Sequence, residues 1–169
     1  MNEADRLIKD ALSWLQANYS DFAFFVERDV VWTLQLRLSK QIKDSNLTYR
    51  IYNDYPMLAG SHRSLSADIV ILDNADRVAM AAEFKYEPSH LRKDILQNKL
   101  PVVAWGKDGV GKDVTRINEF VARGKAKVAY AIFIDEGGYF CRRLAHPGSE
   151  WLEWGNGVWV MLSRAEGKA

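Results

Sequence analysis

Apolar residues recur at helical spacing near the start of the chain, where Ala4, Leu7, Ile8, Ala11, Leu12 and Leu15 share one face. An amphipathic helix is predicted there, over about residues 3 to 18. A second stripe of Val31, Leu34, Leu38 and Ile42 predicts a helix from about 29 to 43, with Asp29 as its N-cap. From Tyr49 to Leu58 the pattern is that of a strand. Two apolar runs, Ile69 to Leu72 and Val78 to Ala82, flank the polar turn Asp73-Asn74-Ala75-Asp76-Arg77 and predict a β-hairpin. Pro88 and Pro101 bound a mixed stretch with a short helix expected at 89 to 99. A third helix is predicted from Asp113, as N-cap, to near Gly124, since Val114, Ile117, Phe120 and Val121 fall on one face. Val128 to Ile134 is uniformly apolar and reads as a buried central strand. Tyr139 to Leu144 and Val158 to Leu162 are expected to be two more strands, separated by a loop with Pro147 and three glycines. This order predicts an α/β domain with a mixed central β-sheet flanked by helices, spanning residues 1–169 as one unit.

The hairpin carries the chemistry. With its turn centred between Ala75 and Asp76, paired residue numbers sum to 151, which sets Asp68 directly opposite Glu83. Their Cβ atoms would be roughly 4.5 to 5.5 Å apart. Alternation along the strand puts Lys85 on the same face as Glu83, with Phe84 on the other. Two facing carboxylates destabilise a sheet unless a cation, a lysine or a proton compensates. A divalent ion suits the pair, because Mg²⁺ binds through one or two carboxylates, keeps several waters and accepts phosphate oxygens. Glu-x-Lys alone is common on exposed strands. Here, however, Glu83 ends the otherwise uncharged run Val78-Ala79-Met80-Ala81-Ala82.

Asp68 followed by Glu83-Phe84-Lys85 at the end of the next strand resembles the PD-(D/E)XK nuclease superfamily, the restriction-endonuclease-like fold. The order of elements resembles it too, with a helix bearing an acid before the hairpin and a further helix and strand after it. Glu27 lies one turn before Val31 on the stripe of the second helix, where that family's helix carboxylate would sit. Ala67 stands where the family motif has its proline, a position that carries no chemistry. The resemblance implies a Mg²⁺- or Mn²⁺-dependent nuclease that hydrolyses phosphodiester bonds, with DNA as substrate. It further implies metal binding by Asp68, Glu83 and the Phe84 backbone carbonyl, an attacking water oriented or activated by Lys85, and a second ion or its water at Glu27.

Composition adds limits. The chain has 169 residues, 48% hydrophobic and 27% charged, enough for one sizeable core. Its apolar runs fall short of the roughly 20 residues of a membrane helix and its charged N-terminus is unlike a secretory signal, so a cytoplasmic protein is expected. A single cysteine, Cys141, excludes an intramolecular disulfide and a cysteine-rich zinc site. The histidines at 62, 90 and 146 lack metal-ligand spacing, which leaves oxygen as the expected donor to any ion. Net charge is only +1, but residues 85 to 127 hold ten Lys or Arg against five Asp or Glu. That block could lie along a phosphate backbone, with Lys112 and Arg116 as contacts, and Arg63 in the loop Gly60-Ser61-His62-Arg63-Ser64 as another. A solvated surface accounts for most of these charges as well.

Two alternatives come from other classes. Gly106-Lys107-Asp108-Gly109-Val110-Gly111-Lys112 fits the G-x-x-x-x-G-K phosphate loop of nucleotide-binding proteins, followed downstream by the apolar strand Tyr130 to Ile134 and the acids Asp135 and Glu136. Position 113 is Asp where that motif requires Ser or Thr, which counts against it. The other alternative keeps the nuclease fold for binding nucleic acid or protein without catalysis. In that reading Trp105, Trp151, Trp154 and Trp159 supply a recognition surface, and a homodimer is one assembly it allows.

Overall fold

The computed structural model describes residues 2–58, 65–95, 100 and 102–167. Among them, helices α1 (Glu3–Ala17), α2 (Glu27–Asp44) and α3 (Val110–Ala122) surround strands β1 (Arg50–Leu58), β2 (Leu65–Leu72), β3 (Val78–Glu87), β4 (Ala126–Asp135), β5 (Ser149–Gly155) and β6 (Val158–Glu166). The strands form one six-stranded mixed sheet in the order β1-β2-β3-β4-β6-β5. All neighbours run antiparallel except β3 and β4, which are parallel and joined through α3. A parallel neighbour requires a crossover, and here the crossover places α3 against β4, β6 and β3. Helices α1 and α2 pack together on the opposite face.

Side-chain alternation divides the core accordingly. Met80, Ala82, Phe84 and Tyr86 of β3 face the cluster that holds Leu7, Leu15, Leu34 and Leu38 from α1 and α2. Ala81 of β3 and Ala129, Ala131 and Phe133 of β4 face Val114, Ile117 and Phe120 of α3. Strand β4 is buried along most of its length, as its apolar run predicts for a strand covered on both faces. The hairpin keeps its expected register over Ile69, Val70 and Ile71, which pair with Ala82, Ala81 and Met80 (sum 151), and shifts by one at Leu72, which pairs with Val78. Its turn is tied by Asp73, whose Oδ1 accepts from the N–H of Ala75 (2.9 Å) and of Arg77 (3.0 Å).

The helix ends depart from expectation. Asp29 is not the N-cap of α2; Val26 is. Asp29 sits three positions later, where its Oδ2 reaches back to the N–H groups of Phe25 (2.8 Å) and Val26 (3.0 Å). That is the return bond of a capping box made without a capping hydroxyl. Asp113 likewise does not begin α3, whose N-cap is Gly109, so Asp113 enters the first turn with its side chain buried. At the other end, Gly124 (φ 64°) closes α3 in a Schellman arrangement: Lys125 N–H donates to Phe120 O (2.8 Å) and Gly124 N–H to Val121 O (2.9 Å).

Three segment expectations also fail. Residues 89–95 form turns and bends rather than a helix, and 96–99 lie outside the described residues. The segment 139–144 is irregular, because the buried Asp135 carboxylate holds the Tyr139 and Phe140 N–H groups in a turn (3.0 and 2.7 Å). The strand pairing with β6 is instead β5, inside what the glycines and Pro147 suggested was loop. No helix among the described residues is long and apolar enough to cross a membrane.

Candidate functional site

Strand alternation puts Glu83 and Lys85 on the same side of β3 as Ala81, toward α3. Asp68 lies one step beyond the last pair of the β2–β3 ladder, Ile69 with Ala82, so that continuing the register would carry it toward Glu83. The junction is tied by Phe84 N–H, which donates to Asp68 Oδ2 at 2.7 Å. Glu83 is 2% exposed. Its Oε2 lies 3.5 Å from Arg116 Nη1 on α3, while its Oε1 is buried and has no hydrogen-bond partner. Burial, reinforced by the nearby charges of Asp68 and Asp113, pushes the Glu83 carboxyl up to about 9.

Lys85 is held from three directions. Its Nζ donates to Phe84 O (2.8 Å) and to Glu27 Oε2 (3.1 Å), and its remaining side faces Asp113 Oδ2 at 3.2 Å. The Asp113 contact is an ion pair without hydrogen-bond alignment, since Oδ2 has no hydrogen-bond partner. Burial opposes the lysine's charge, but Asp113 and Glu27 outweigh it and hold the ammonium's pKa above its ordinary value. Burial also raises the carboxyls of Glu27, Asp68 and Asp113, with Lys85 working against that rise in each. Around these atoms four carboxylates, Glu27, Asp68, Glu83 and Asp113, meet two cations, Lys85 and Arg116. If all ionise, two negative charges remain uncompensated.

Among the sequence-predicted residues, then, Asp68, Glu83, Lys85 and Glu27 converge, and Arg116 joins them through Glu83 and not on the outer surface. Asp113 was missed. Its acidic side chain on the apolar stripe of Val110, Val114 and Ile117 was the available signal, obscured by its suitability as an N-cap. Lys112 is exposed on α3, and Arg63 lies outside the described residues. The basic block does not form one free face: Arg92 pairs with Asp94 and Glu136, Arg123 with Glu119, and Lys127 with Asp73. Trp105 and Trp151 are half-buried and stack on each other (5.9 Å between ring centres), while Trp154 packs edge-on against Tyr19 on the other face.

The glycine-lysine loop has a packing explanation. The N–H groups of Gly109, Val110, Gly111, Lys112 and Asp113 donate to Gly106 O, Ala104 O, Trp105 O and, twice, Gly109 O. These are the donors that would otherwise cradle a phosphate. Glycine is needed at 109 because a Cβ there would sit 1.7 Å from Ala104 O.

Beside the hairpin, a cavity of about 310 Å³ is lined by Glu27, Arg28, Val31 and Trp32 of α2, Asn53 and Asp54 of β1, and Asp68. Asn53 Nδ2 donates to Gln35 Oε1 (2.8 Å), tying β1 to α2 behind it. Asp54 adopts a left-handed backbone (φ 50°) between the pairs Asn53 to Ile69 and Tyr55 to Ala67, at the register position opposite Asp68. Asn and Asp tolerate that conformation better than other non-glycine residues.

Among the described residues no three His, Cys, Asp or Glu side chains are grouped so as to cage a metal ion. The buried Glu83 Oε1, which has no hydrogen-bond partner, is the observation to which a cation would answer. No protein-family model, curated protein or solved structure matches the chain.

Proposed function

We propose that this protein is a metal-dependent nuclease of the PD-(D/E)XK, restriction-endonuclease-like kind, hydrolysing phosphodiester bonds in DNA. The observation that carries the reading is the Phe84 N–H bond to Asp68, which ties that carboxylate to the strand segment of Glu83 and Lys85, where a buried Glu83 oxygen is left without a partner. Asp68, Glu83 and the Phe84 carbonyl would hold Mg²⁺ or Mn²⁺. Such an ion supplies a more acidic bound water and positive charge against the phosphate.

The protein's own residues do the remaining work. The Phe84 N–H fixes Asp68 from behind, and Arg116 engages Glu83 Oε2 so that Oε1 is the oxygen available to an ion. Lys85 acts as an ammonium, orienting water and stabilising charge on the phosphate, because Glu27 and Asp113 both favour its protonated form. Taking a proton from water would require it first to lose one against that field. Glu27, whose expected partner is a second ion or its water, steadies Lys85 at the same place.

The test is incubation with plasmid DNA and Mg²⁺ or Mn²⁺. Cleavage by the wild type, abolished in Asp68→Ala and in Lys85→Ala, is the expected result. Cleavage indifferent to both substitutions would sink the assignment.

A further inference from the structure

The cavity beside Asp68 contains more than the proposed reaction needs. Beside Glu27 and Asp68 its lining includes an apolar and cationic group: Val31, the Trp32 indole and the Arg28 guanidinium, which lies 5.9 Å from the indole centroid. Trp32 is 53% exposed although the same helix buries Val30, Val31 and Leu34. An indole left half in water beside a polar cleft forgoes burial that a Trp side chain would otherwise gain. At about 310 Å³ the space is at the lower end of small-ligand pockets, roughly 300 to 1,000 Å³. A base pair still in its duplex has no unstacked face to offer a ring, whereas an unpaired nucleotide does.

We propose that this cavity takes one unpaired nucleotide of the substrate strand, its base stacked on Trp32 and a flanking phosphate met by Arg28, so that the preferred substrate is single-stranded or locally unpaired DNA. The inference rests on the nuclease reading and adds the substrate class. Stacking on an aromatic ring tolerates any base, since every base has a π-face. Arginine supplies both a partner for phosphate and a plane for stacking. The three carboxylates in the lining, Glu27, Asp54 and Asp68, repel a polyanion. Phosphate approach is therefore confined to the Arg28 side and to the ion that Asp68 would hold, which leaves the base to enter between them.

The test uses fluorescein-labelled DNA, as a short single strand and as the duplex of the same sequence, with anisotropy read in Ca²⁺ to permit binding while slowing cleavage. The expected result is tighter binding of the single strand by the wild type and a loss of about tenfold in Trp32→Ala. Duplex binding should be unchanged, and Trp32→Phe should retain most of the single-strand affinity. Trp32 is half-exposed, and an unaltered circular dichroism spectrum verifies that the variant folds. Equal single-strand affinity in wild type and Trp32→Ala overturns the inference while metal-dependent plasmid cleavage, if present, leaves the nuclease reading standing. A wild type that binds neither DNA and cuts no plasmid overturns both.

Discussion

Asp113 Oδ2 lies 3.2 Å from Lys85 Nζ, a contact between the first turn of α3 and the middle of the sheet that joins the crossover helix to the hairpin's chemistry. Removing one member of a buried ion pair costs roughly 3–5 kcal/mol because the other is left uncompensated. Lys85 keeps Glu27 and is partly exposed, so Asp113→Ala should cost less, about 2 kcal/mol, read as a lower denaturant midpoint at unchanged slope. Cleavage, where measurable, should fall in the same variant through a mispositioned ammonium.

The second expectation concerns pH. The Glu83 carboxyl is pushed from 4.5 up to about 9 in the folded chain, chiefly by burial. Between those values the folded state retains a proton that the unfolded state has released, so this residue's contribution to stability is intact below about 4.5 and is lost as pH rises toward 9. Denaturation curves taken across that window in metal-free buffer should show stability of the wild type declining relative to Glu83→Gln. Parallel pH dependences in the two proteins would mean that Glu83 ionises normally.

Divalent ions give a third readout independent of cleavage. A ligand that binds only the folded state stabilises it by RT ln(1 + [L]/Kd), about 2.7 kcal/mol at a hundredfold excess over Kd. Mg²⁺ or Mn²⁺ should raise the thermal midpoint of the wild type, and Asp68→Asn or Glu83→Gln should abolish the rise. An identical rise in both variants would place the ion elsewhere.

The loop before α3 makes a fourth case. Gly109→Ala forces a methyl into the Ala104 carbonyl and should destabilise the protein by more than about 2 kcal/mol. Lys112→Ala, at an exposed position, should change stability by no more than about 0.5 kcal/mol. Equilibrium dialysis should detect no ATP binding by the wild type. Retention of ATP lost in Lys112→Ala would restore the phosphate-loop alternative.

Much of this was legible in the chain because the relevant signals are periodic. The α1 and α2 stripes and the β2–β3 register over Ile69 to Ile71 follow from the 3.6 and 2.0 residue repeats. What failed depends on long-range partners. Asp29 and Asp113 both have the residue type of an N-cap, yet one serves three positions inside its helix and the other is drawn to Lys85. Strand β5 lies among Pro147, Gly148 and Gly155, which mark a loop, and is drawn into the sheet by its ladder with β6. Conversely, Tyr139 to Leu144 has strand-like composition, but Asp135 captures its first N–H groups.

The left-handed residue at Asp54 has a bearing on the molecule's behaviour at high concentration. Strand β1 is the margin of the sheet and pairs only with β2, so its outer N–H and C=O groups form a row onto which another chain's strand can add. The left-handed backbone of Asp54 departs from extended geometry within that row, and two residues on Pro56 removes a donor from it. The margin beside the acidic cleft is thus a poor template for strand addition, which guards it against self-association into fibres.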